Sequence, residues 1–171
     1  MMVVSVRHAV ADDAAAIAAV HVHAWQVAYR DLMSAKTLDG LPVSRREQFW
    51  REVLAGRKGS VFVAAGENGA VLGFCALVTP SRDDDAGDDR VAEIGAIYVD
   101  PEVWRLGIGR ALMRAAFAAL QEDDWRWVTL WVLAENRQAR DFYDQLGLEA
   151  DGARTTDELS GHTEIRLRAS L

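Results

Sequence analysis

The chain has 171 residues, half of them hydrophobic and 26% charged, with a formal net charge of −7. That is enough chain for one core, so a single domain over 1–171 is expected. The acidic balance argues against nucleic acid as a partner, because a phosphate backbone needs a basic face. With Cys75 as the only cysteine an internal disulfide is excluded, and no apolar run reaches the length of a membrane span.

The N-terminus, Met-Met-Val-Val-Ser-Val-Arg-His, lacks a basic segment followed by a long apolar core. No signal peptide is therefore expected, and the location expected is cytoplasmic. Val3 to Val6 alternates as a first strand, and Asp12 or Asp13 is placed to cap the next helix. From Ala14 to Tyr29, apolar residues recur at Ile17, Val20, Ala24, Val27 and Ala28, the spacing of an amphipathic helix. Gly40-Leu41-Pro42 breaks the chain. Ser44 and Glu47 stand at capping-box spacing before a second helix expected to Leu54. Ser60 to Ala65 and Val71 to Val78 read as a hairpin around Glu67-Asn68-Gly69.

A loop from Ser81 to Arg90 carries Asp83, Asp84, Asp85, Asp88 and Asp89 and reads as a solvated tip. Val91 to Val99 is a strand with Glu93 as its only charge, stopped by Asp100-Pro101. Gly107 and Gly109 open a helix whose apolar face holds Ile108, Leu112, Ala115, Ala119 and Leu120. Trp127 to Leu133 is apolar enough for a strand covered on both faces. Glu135 to Leu146 reads as a helix closed by Gly147. Two short strands, Gly152 to Asp157 and Thr163 to Leu167, finish the chain. The order is that of an α/β (α+β) layer arrangement around one sheet.

A helix N-terminus with two glycines suits a phosphate or pyrophosphate. No Gly-Lys-Ser/Thr run exists, so a P-loop is excluded. Leu112 stands where a dinucleotide fingerprint needs its third glycine. What remains, Ile97-Tyr98-Val99-Asp100-Pro101 followed by Trp104-Arg105-Leu106-Gly107-Ile108-Gly109-Arg110, resembles the GNAT acetyltransferase superfamily. A second stretch, Trp131 through Asn136, Ala139, Phe142-Tyr143 and Leu146-Gly147, resembles that family's second motif, with Leu148 for the usual Phe. Trp104 also departs, since the family usually has Gln or Arg there.

The resemblance implies the GNAT fold: a mixed, mostly antiparallel sheet of six or seven strands flanked by helices and splayed between its fourth and fifth strands. It implies acetyl-CoA as co-substrate. Backbone groups of Ile97, Tyr98 and Val99 would line the gap, and Arg105, Leu106, Gly107, Ile108, Gly109 and Arg110 would surround the pyrophosphate. Asn136 and Tyr143 lie seven apart on one helix face, expected toward the same gap.

The chemistry can be stated without the family. An amine attacks a thioester carbonyl, and the leaving thiolate needs a proton. Tyr143 is the candidate acid, because a phenol with a pKa of about 10 is protonated at neutral pH. Glu93 is the candidate base; the competing role is a charge at a strand edge. Trp25 and Tyr29, four apart on the first helix, are candidates for the acceptor pocket, by stacking or by holding a cation; packing the helix on the sheet is the alternative. His21 and His23 fall on different helix faces and no metal is expected. Cys75 reads as packing. The function expected is acetyl transfer from acetyl-CoA to a primary amine of a small molecule or peptide, by direct attack in a ternary complex. A non-catalytic acyl-CoA-binding module of the same fold is the competing reading, and a homodimer is a further expectation from the resemblance.

Overall fold

The computed structural model describes residues 4–56, 59–83, 90–158 and 160–171. The strands are β1 (Val4–His8), β2 (Val61–Gly66), β3 (Val71–Val78), β4 (Val91–Val99), β5 (Trp127–Leu133), β6 (Glu149–Thr156) and β7 (Thr163–Ser170). The helices are α1 (Ala14–Ala28), α2 (Ala35–Asp39), α3 (Val43–Ala55), α4 (Ile108–Glu122) and α5 (Arg137–Asp144), with 3₁₀ turns at Ala11–Asp13 and Pro101–Val103. The strands follow the spatial order β1-β2-β3-β4-β5-β7-β6. The β1–β2, β2–β3, β5–β7 and β6–β7 pairs are antiparallel, and β4 is parallel to β5. This is the mixed sheet flanked by helices that the resemblance implied, with seven strands. Asp84, Asp85, Asp88 and Asp89 of the acidic loop lie outside the described residues.

Two compact units divide the chain: Met1–Leu77 with Ala96–Ala119, and Val78–Gly95 with Leu120–Leu171. In the first, the α1 stripe of Ile17, Ala18 and Val20 meets Trp50 of α3, Val61 and Val63 of β2, and Phe74 and Ala76 of β3 in one core cluster. Ile17, Ala18, Val63 and Phe74 are fully enclosed, as a 3.6-residue stripe set against a period-two strand face requires. Two helix starts depart from expectation. Asp13 precedes α1, but its carboxylate turns back to Arg7 at 2.7 and 3.0 Å and to the Val10 N–H at 2.8 Å. The stronger, charge-assisted partner takes the oxygen that a cap would have used. α3 begins at Val43 behind Pro42, so Ser44 lies inside the helix and caps nothing. α2 was not expected; Ser34 caps it by accepting from the Thr37 N–H at 3.1 Å.

Gly73 of β3 faces a tight place in the same unit. A Cβ there would stand 3.0 Å from the Tyr98 carbonyl oxygen and 3.2 Å from side-chain atoms of Leu112 and Val99. Glycine is favoured there because any Cβ would make the Tyr98 backbone or its neighbours give way by a few tenths of an ångström.

In the second unit β7 alternates cleanly, with Ile165, Leu167 and Ala169 buried between polar neighbours. It pairs with the whole of β5, from Trp127↔Ser170 to Leu133↔Glu164. The β4–β5 ladder covers only Val91↔Trp127, Ala92↔Val128 and Glu93↔Thr129.

Candidate active site

The turn after β4 is built by side chains. Asp100 accepts from the Glu102 N–H at 3.0 Å, and its own N–H donates to the Leu72 carbonyl at 2.8 Å. Trp104, the departure from the family pattern, donates its indole N–H to the Val99 carbonyl at 2.8 Å. It therefore fastens the turn to the strand end. Arg105 (φ 63°) and Gly107 (φ 84°) then take left-handed backbone, and α4 starts at Ile108. A Cβ on Gly107 would meet nothing within 4 Å, so it is the backbone angle that asks for glycine there. The first α4 bond runs from the Ala111 N–H to the Gly107 carbonyl at 3.0 Å, and helix geometry gives the amides of Ile108 and Gly109 no partner within the helix. No acidic residue stands in that first turn, and Arg105, Leu106, Gly107 and Arg110 are exposed. The arrangement can hold an anion by backbone donors and the helix dipole.

In the same unit α1 presents His21, Trp25 and Tyr29, four apart, on one face. The His21 ring stacks on Tyr98 of β4 with centroids 4.7 Å apart and planes 22° from parallel. Trp25 meets His21 and Tyr29 edge-on, at 5.7 and 5.3 Å, and stands 6.5 Å from Tyr98. Thus Trp25, Tyr29 and Tyr98, each singled out from sequence, belong to one aromatic group. His21 joins them, and the four-residue spacing from His21 through Trp25 to Tyr29 is the sequence signal that points to its place here. His21 Nδ1 accepts from the Trp50 indole N–H at 3.1 Å, which leaves the proton of a neutral ring on Nε2. Burial, and after it the charge of Arg46, pushes the His21 pKa down from 6.5 to about 3. The indole N–H of Trp25 is buried and has no hydrogen-bond partner among the described residues. The Arg46 guanidinium carbon stands 5.8 Å from the Trp25 ring centre and 5.6 Å from that of Phe49.

The low His21 value sets an acid limit on stability. Between pH 6.5 and about 3 the unfolded chain binds a proton on His21 that the folded chain refuses. Stability is therefore full above pH 6.5 and falls as the pH is lowered through that window. Asp13, held below its ordinary 3.8 by Arg7, adds its own loss as the pH falls below that value. Thermal melts from pH 7 to 4 should decline in the wild type and decline less steeply in His21→Gln; equal slopes would refute the assignment.

In the second unit Glu93 is 2% exposed. It is neither a solvated strand charge nor a lone buried acid. The Arg82 N–H and Nε donate to its Oε2, each at 3.1 Å, and the Arg82 Nη2 bonds its Oε1. The carboxylate in turn holds the Arg82 guanidinium above its ordinary pKa. Beside it, Asp83 accepts from the Trp131 indole N–H at 3.0 Å. Asn136 caps α5: its side-chain oxygen accepts from the Ala139 N–H at 3.2 Å, leaving its NH₂ as the group able to meet a ligand. Tyr143 on α5 is 8% exposed, beside Phe142. Cys75, in the first unit, is fully buried and its thiol is pushed up to about 12, so it is no nucleophile at neutral pH. Among the described residues, no group of three His, Cys, Asp or Glu side chains stands where it could hold a metal ion, and no helix is long and apolar enough to cross a membrane.

The Acetyltransferase (GNAT) family model matches residues 25–148. The uncharacterized N-acetyltransferase YuaI of Bacillus subtilis is 35% identical over 133 residues, which is 78% of this chain and 73% of that protein. A mycothiol acetyltransferase of Nocardiopsis dassonvillei is 35% identical over 89 residues, half of this chain but 26% of the relative. Among solved structures, the PaiA N-acetyltransferase of Thermoplasma acidophilum in complex with coenzyme A matches with a TM-score of 0.77 at 17% identity, over 96% of this chain and 98% of that one.

Proposed function

This chain belongs to the acetyltransferase (GNAT) family, and from that premise we propose that it transfers an acetyl group from acetyl-CoA to a primary amine by direct attack in a ternary complex. The observation that carries the reading is the left-handed turn at Arg105 and Gly107 running into a helix whose first turn has no acid. Backbone donors there suit a diphosphate, and the complex of PaiA with coenzyme A supports the same ligand class. Arg105 and Arg110 add charge. Trp104, being committed to the Val99 carbonyl, contributes position and not a phosphate contact.

The reaction balances simply. The amine nitrogen attacks the thioester carbonyl, the carbon–sulfur bond breaks, and the thiolate takes a proton. Main-chain N–H groups in the Ile97–Val99 stretch are assigned to the carbonyl and to the oxyanion that forms from it. Tyr143 is assigned as the donor of the thiolate's proton, and Glu93 as the group that receives the amine's proton, through water. Trp25 and Tyr29 are assigned to the acceptor side.

A thiol-release assay with acetyl-CoA over a panel of amines tests the reading. Release is expected with at least one class of amine. Acetyl-CoA, and neither ATP nor NAD, should raise Tm, since only a ligand of the folded state does so. The Arg82 clamp on Glu93 is the observation that favours the second reading, a non-catalytic acyl-CoA-binding module. Stabilisation by acetyl-CoA with no thiol release from any amine would decide for it. Under the transferase reading, Glu93→Gln should alter the pH dependence of kcat/KM; an unaltered profile removes Glu93 as the base.

A further inference from the structure

Among the described residues, two side chains of the first unit offer hydrogen-bond donors that meet no acceptor. One is the Trp25 indole N–H, buried and unpartnered. Leaving such a donor unmade is costly, and buried polar groups are normally satisfied. The other is Arg46. Its guanidinium rests against the Trp25 and Phe49 rings, and among the described residues no carboxylate pairs with it. Its neighbour Phe49 is 46% exposed, so this side of α3 reaches solvent. An unpaired, half-buried arginine stacked on the ring whose N–H is orphaned is a donor set without its acceptor. Arginine and indole N–H offer donors only, and a carboxylate is the side of the pair that is missing.

The sequence left open whether Trp25 and Tyr29 hold a cation. The Trp25 ring already carries the Arg46 guanidinium, and a second positive charge there would be repelled. The field of Arg46 also reaches His21, where it helps to keep the ring neutral. An acceptor amine in that field is biased toward its neutral, nucleophilic form.

We propose that Arg46 and the Trp25 indole N–H bind a carboxylate of the acceptor, so that the amine acetylated belongs to a small molecule of the amino-acid class. The proposal rests on the transferase reading above and narrows its acceptor.

The test compares L-amino acids with their own methyl esters and with the matching decarboxylated amines in the thiol-release assay. The free acid should be preferred over its ester by about tenfold or more in kcat/KM, the scale of a charge-assisted contact. Arg46→Met keeps the apolar stem, removes the charge, and should bring the acid down to the ester's level through KM. Arg46→Lys should retain part of the preference, and Trp25→Phe, which keeps a ring but no N–H, should lose part of it. Equal turnover of acid and ester by the wild type overturns the inference and leaves the transferase reading standing. So does an acid preference that survives Arg46→Met unchanged. Thiol release from no amine at all overturns both.

Discussion

Tyr143→Phe should lower kcat by about 10²- to 10⁴-fold, the range lost when a positioned proton donor is removed. The substitution takes away one hydroxyl and keeps the ring, which is 8% exposed on α5. The fold should survive it, and the thermal melt should move by only a few degrees. The KM for acetyl-CoA should change little, because the proton is needed only as the carbon–sulfur bond breaks. A second signature separates acid catalysis from packing. A thioester with a more acidic leaving thiol needs less help, so the defect should shrink with such a donor. Full turnover by Tyr143→Phe would remove the residue from the mechanism and return it to the core of its unit.

The largest effect on stability is expected at Trp50. It is 2% exposed, meets Phe74 edge-on at 4.8 Å, and donates its indole N–H to His21 at 3.1 Å. Trp50→Ala removes the bulkiest fully buried side chain of the first unit and leaves His21 Nδ1 without its donor. Aromatic-to-alanine changes in cores cost about 3–5 kcal/mol. In a chain of this size that corresponds to a fall in Tm of roughly 10 °C. Trp50→Phe keeps much of the volume and loses mainly the hydrogen bond, so it should cost about a third as much. Chemical denaturation of the two variants checks the order. An alanine variant within 1 kcal/mol of wild type would show that the indole is not what holds α3 to α1 and β3.

The elements that the sequence made legible are those with a local cause. β7 was readable because buried and polar residues alternate, though it was expected to stop at Leu167. The structure carries it to Ser170, because the last residues pair with Trp127 and Val128 of β5, and that partner is invisible to a local pattern. α2 was missed because five residues are too few to show a period. The caps expected from Asp13 and Ser44 failed for tertiary and local reasons respectively: Arg7 claims one carboxylate, and Pro42 sets the start of α3 ahead of Ser44.

The same division runs through the candidate site. The glycine turn and the acid-free helix start were legible because glycines, helix polarity and the lack of acids sit side by side in the chain. The surroundings of Glu93 were not, because its partner Arg82 is eleven residues away across a loop. Nor was the group formed by His21, Trp50 and Arg46. It exists only once α1 and α3 lie together, and a composition of ordinary residues gives no sign of it.

Gly73 carries a lesson for mutational scanning. Every other residue type would put a Cβ against the Tyr98 carbonyl and push on the stretch from which α4 departs. A deep scan should therefore score position 73 as intolerant as the residues assigned to chemistry, although no role in the reaction falls to it. Ranked by tolerance alone, it would be mistaken for a ligand contact. What is constrained there is a volume, and the absence of a side chain is what the neighbouring strand is built on.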